Sequence, residues 1–148
     1  MNKLLIHQKC LEILEGSILA IKLAMQEAQD AANNETKSSA GDKHETARAM
    51  AQLETEKLSI QLNDALTQKQ IISKINPNQK SQQITTGSLV YTDKGIFYIE
   101  VSLGKIETEQ ETIYVISPVS PMGKLLLTKK EKDSFSLNGK TYVIENIF

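Results

Sequence analysis

The chain has 148 residues and nearly balanced charge, 17 Lys+Arg against 18 Asp+Glu, so no global basic field draws it onto nucleic acid or anionic membrane. Aromatic residues make up 5% and tryptophan is absent, which excludes a large aromatic core and suits an elongated body with a narrow apolar seam. The single cysteine, Cys10, excludes an internal disulfide framework and fits a reducing compartment.

At the N-terminus the apolar cluster Leu4-Leu5-Ile6 is soon followed by Glu12 and Glu15, with no small-residue cleavage site, so it does not read as a signal peptide. No uncharged apolar run reaches the ~18 residues of a membrane span, and a cytoplasmic protein without a membrane partner is expected. From Leu11 onward a seam appears. Leu11, Leu14, Ile18, Ile21, Met25, Ala28 and Ala32 alternate at spacings of three and four, the a/d pattern of a coiled coil. It stops at Asn33-Asn34, and the polar stretch from Glu35 to Gly41 reads as a loop. Helical composition resumes at Asp42 and runs to about Lys74, with a looser stripe of Ala47, Ala51, Leu58, Leu62, Ala65 and Ile72, flanked by Met50, Leu53 and Ile60. The two helices are expected to fold back on each other as an antiparallel hairpin over residues 1–76, in a monomer.

The composition changes at Ile75-Asn76-Pro77-Asn78. Pro77 is the first of the three prolines, and the other two, five of the seven glycines and every Tyr and Phe follow it. Val, Ile, Tyr and Thr at short spacing read as strands, expected at Ser88–Thr92, Gly95–Leu103, Glu111–Ile116, Asp133–Leu137 and Lys140–Ile147. Asn138-Gly139 is a two-residue hairpin signal. Ser120 and Pro121 suit the N-cap and first position of a short helix through Leu127. The fold class is therefore α+β: a coiled-coil hairpin followed, over residues 84–148, by a small antiparallel β domain with one short helix.

Two stretches resemble the Gre family of bacterial transcript-cleavage factors. The run from Ile116 to Leu127, with Ser117, Ser120, Pro121 and Gly123, and then Lys129-Lys130 and Asp133, is similar to the signature of that family's C-terminal domain. It departs at Leu125, where the family usually has a small residue, and at Lys132, where it usually has Gly or Asp. The resemblance implies an FKBP-like fold there, with a motif for packing and docking. Gly41-Asp42-Lys43-His44-Glu45 is similar to the family's hairpin tip, a Gly-Asp followed three residues later by Glu. Beyond it the family continues with Asn-Ala and an aromatic, whereas Thr46-Ala47-Arg48-Ala49 stands here.

The resemblance implies a hairpin that enters the secondary channel of bacterial RNA polymerase and carries Asp42 and Glu45 to its active centre. Asp42 is expected to contact a weakly held Mg²⁺ shared with the polymerase, and Glu45 to position water or metal. Two metals would stabilise the attacking and leaving oxygens during cleavage of the nascent RNA 3′ end. The chain has no cofactor of its own in this scheme and is not itself an enzyme. Lys37, Lys43, His44 and Arg48 are candidate contacts to RNA phosphates or polymerase. Read from the residues alone, Asp42 and Glu45 also fit a capping box. His7 and Cys10 in one helix imply no pocket for a nucleophile and base, and neither zinc spacing nor a phosphate-binding glycine loop occurs. Three other readings remain: a channel regulator that does not cleave, a coiled-coil adaptor, and a prolyl isomerase suggested only by the FKBP-like domain.

Overall fold

The computed structural model describes the backbone of residues 2–36 and 41–148 and the side chains of residues 2–34 and 45–148. Helix α1 spans Lys3–Thr36 and α2 spans Gly41–Ser73. After them come strands β1 (Leu89–Thr92), β2 (Gly95–Ile99), β3 (Gly104–Glu107) and β4 (Thr112–Ile116), the short helix α3 (Pro121–Leu126), and strands β5 (Ser134–Leu137) and β6 (Lys140–Ile147). At 1.5 Å per residue, each long helix measures about 50 Å. No helix among the described residues is long and apolar enough to cross a membrane. The chain divides into two compact units, one of Leu11–Gln70 and one of Met1–Cys10 with Ile71–Phe148. The ends of both helices thus belong with the sheet, whereas the composition shift alone suggests a cut at residue 76.

Within the helical unit, every residue of the α1 seam from Leu11 to Ala32 is buried or half-buried. The facing row on α2 is Ala51, Thr55, Leu58, Leu62, Ala65 and Lys69, again alternating four and three. Two polar members explain why this stripe looks loose in the sequence. Thr55 satisfies its hydroxyl by donating to the Ala51 carbonyl at 2.9 Å, and the Lys69 ammonium lies 3.7 Å from the Glu15 carboxylate of α1. Two amphipathic helices have therefore found partners in each other.

The sheet unit has six strands in the order β3-β4-β2-β1-β6-β5. This corrects the antiparallel expectation. β4 inserts between β3 and β2 and runs parallel to β2, with Phe97 opposite Tyr114. The single expected strand Gly95–Leu103 ends at Ile99. The Leu103 amide closes a tight turn onto the Val101 carbonyl, and Gly104, at φ +79°, starts β3 as a separate edge strand. Asn138 and Gly139 take φ values of +53° and +79°, the two consecutive left-handed residues that a tight hairpin turn requires.

Alternation divides the sheet into two faces. On one, Val90, Phe97, Ile99, Phe135 and Ile144 pack with Leu126 of α3 and with Ile84 as the main core. The other carries Leu89, Tyr98, Glu100, Ile113 and Val115, all buried. Ile6, His7 and Cys10 of α1 and Ile72 of α2 are buried in the same unit, and His7 reaches Glu100.

Candidate functional site

The first turn of α2 begins at Gly41, so the Gly-Asp-x-x-Glu run opens the second arm of the hairpin. Lys37 lies outside the described residues, as do the side chains of Asp42, Lys43 and His44. Glu45, Thr46 and Arg48 are solvent-exposed. Arg48 rims a shallow groove of 190 Å³ with Gln29 and Ala32 of α1 and Ala51, Gln52 and Thr55 of α2. Side chains three apart in a helical first turn project to one side, and the unpaired N–H groups there favour negative charge. Such a turn can present two carboxylates together to a cation brought by a partner. Among the described residues, no group of three or more His, Cys, Asp or Glu side chains is arranged to hold a metal.

The C-terminal motif is built around the entry to α3. Ser120 is its N-cap: the hydroxyl accepts from the Gly123 amide at 3.0 Å and donates to the Ser117 carbonyl at 2.6 Å. Ser117 in turn accepts from the Val119 amide at 3.2 Å, and Pro121 occupies the first helical turn, where no amide is needed. Gly123 lies so close to this loop that a Cβ atom there would stand 2.1 Å from the Ser117 oxygen. The small residue two positions after the proline is thus a steric requirement. Asp133 shapes the turn into β5, its carboxylate accepting from the Lys130 amide at 2.8 Å. Val119, at the crest of the loop, is 73% exposed.

A third group of polar residues is not evident from the motifs. At the root of α1, His7 is buried and its Nδ1 bonds the Glu100 carboxylate. The Tyr98 hydroxyl lies 3.4 Å from the same nitrogen, and Cys10 sits one turn further along α1 with no exposure. Burial pushes Glu100 above the ordinary carboxylate range, opposed by its contacts with Tyr98 and His7. Burial and then the Glu100 charge raise the Cys10 thiol to about 12, and the same two causes raise Tyr98. Cys10 therefore keeps its proton and is a core thiol, not a nucleophile. One signal for this cluster does exist in the sequence: Glu100 is a lone charge in the apolar run Tyr98-Ile99-Glu100-Val101.

No family model matches the chain, and no curated protein matches it. Among solved structures it is similar to the transcription factor Gfh1, at 18% identity and a TM-score of 0.36, over 93% of this chain and 92% of that one. A likeness this distant says nothing of chemistry, and the candidate site stands on its own residues.

Proposed function

We propose that the chain binds bacterial RNA polymerase, inserts its helical hairpin into the secondary channel and stimulates cleavage of backtracked nascent RNA. The observation that carries this reading is the start of α2 at Gly41, which sets the Gly-Asp-x-x-Glu run at the head of the hairpin's second arm. Asp42 would hold a Mg²⁺ ion jointly with the polymerase, and Glu45 would orient water beside it; when bound, the ion would supply charge stabilisation to the attacking and leaving oxygens. The chain's own contribution is positioning: two packed helices carry the acids, and helix α3 with its Ser120 cap presents a rigid loop for docking.

A second reading, a channel regulator that does not cleave, is favoured by one specific feature. Thr46 and Arg48 are exposed where the similar family has Asn and an aromatic. The adaptor reading loses its main support, because the seam it would use is already buried against α2. The isomerase reading fares no better. Phe97 and Phe135 are buried, Phe135 stacks on Tyr142 at 5.1 Å, and this aromatic row fills its sheet face.

The test is RNA shortening in a stalled, backtracked elongation complex from the cognate polymerase. Cleavage by the parent protein that disappears in Asp42→Ala/Glu45→Ala is the expected result. Binding without shortening favours the regulator, and absence of binding overturns both.

A further inference from the structure

We propose that His7 and Glu100 form a proton-dependent latch that holds the first turns of α1 on the end of β2, closed while the pair keeps one proton between its members and released when that proton leaves. Both side chains are buried, at 6% and 1% residue exposure, and they lie 93 residues apart in sequence, so the contact is a tertiary clasp. With one proton the pair has no net charge, whichever member carries it. Without it, an uncompensated carboxylate remains in an apolar site, a state that burial penalises heavily.

Cys10 and Tyr98 both keep their protons; each gives the Glu100 carboxylate a hydrogen bond that eases its burial, but neither adds a positive charge. Among the described residues Lys3 also feels Glu100, but its ammonium donates to the Gln79 carbonyl at 2.8 Å and itself faces Lys80. The remaining polar ties of this segment are exposed, as where Lys9 donates to the Glu107 carbonyl at 2.8 Å, and water can replace them. Ile6 and Cys10 add apolar burial, and His7, through Glu100 and Tyr98, makes the buried polar ties of this segment among the described residues.

Cys10 is a built-in reporter, being the sole cysteine, fully buried, and one turn from His7. Its reaction with an aromatic disulfide reagent is followed from about pH 5 to about pH 9, with each rate divided by that of the urea-unfolded protein at the same pH to remove thiolate chemistry. The His7 ring titration is read by NMR in the same samples, with His44→Gln used to assign it. The expected result is a normalised rate that rises about tenfold or more as the pair loses its shared proton, with helix content unchanged by circular dichroism. Glu100→Gln and, independently, His7→Gln give flat profiles, whereas Ile6→Val raises the rate equally at every pH. A flat profile in the parent, a rise that does not track His7, the same rise in both charge variants, or parallel loss of helix overturns the latch.

Discussion

Replacing Gly123 by alanine separates local helix propensity from tertiary packing, because the two predict opposite signs. Propensity alone favours Ala by about 1 kcal/mol inside a helix. Packing opposes it: the added Cβ would stand 2.1 Å from the Ser117 carbonyl oxygen, 3.0 Å from Pro118 Cα and 3.0 Å from Ser120 Oγ. Two of those three atoms are backbone, and the Ser117 oxygen also accepts from the Ser120 amide and hydroxyl at 3.1 and 2.6 Å. Relieving the clash requires displacing the loop by about an ångström, which strains packing by ~1–3 kcal/mol and weakens a cap of about 1 kcal/mol. With propensity subtracted, Gly123→Ala is expected to destabilise by about 2 kcal/mol. Urea unfolding followed by circular dichroism should show a midpoint lowered by about 1 M at unchanged slope. A variant equal to or more stable than the parent would refute the steric account of this position.

Ser120→Ala removes the cap and the link to Ser117, and is expected to cost about 1–2 kcal/mol in the same assay. Leu14→Ala truncates a seam residue with 2% exposure, for an expected loss of about 2–5 kcal/mol; a loss below about 1 would mean that the hairpin seam is not closed. Asn138→Val puts a β-branched residue at φ +53° and should destabilise, while Asn138→Gly stays near neutral; equal effects would remove the turn assignment. Burial holds Glu100 above the ordinary carboxylate range, so its contribution to stability is complete at acid pH and is lost as pH rises through the folded-state value. Glu100→Gln should therefore gain on the parent as pH rises, and a variant that instead loses ground to the parent toward alkaline pH would contradict this.

What the sequence discloses follows from how local each signal is. The α1 seam, the Ser120 cap and the Asn138-Gly139 turn are short-range patterns, and each appears in the fold at its expected residues. The α2 seam is less legible because Thr55 and Lys69 occupy it, one satisfied by its own helix and the other by Glu15. Strand β3 does not stand out from its neighbour because Val101 and Leu103 extend the apolar run past Ile99, where β2 ends. The parallel pairing of β2 with β4 depends on contacts far apart in sequence, which alternation does not encode. Glu100 is the sharpest case. A lone acid in an apolar run is visible, but its partner 93 residues away is not. Of the candidate tip, the sequence carries the Gly-Asp-x-x-Glu spacing and the fold supplies the helix start at Gly41.

The central claim, delivery of the first turn of α2 to the polymerase active centre, is tested most directly by cross-linking from position 45. A Glu45→Cys variant in a Cys10→Ser background, labelled with a short photoreactive group, is bound to the cognate polymerase, irradiated and mapped by mass spectrometry. The account predicts cross-links to the segments that surround the catalytic aspartates, competed away by the unlabelled parent protein. Cross-links confined to the outer surface of the polymerase, or none at all, would contradict it.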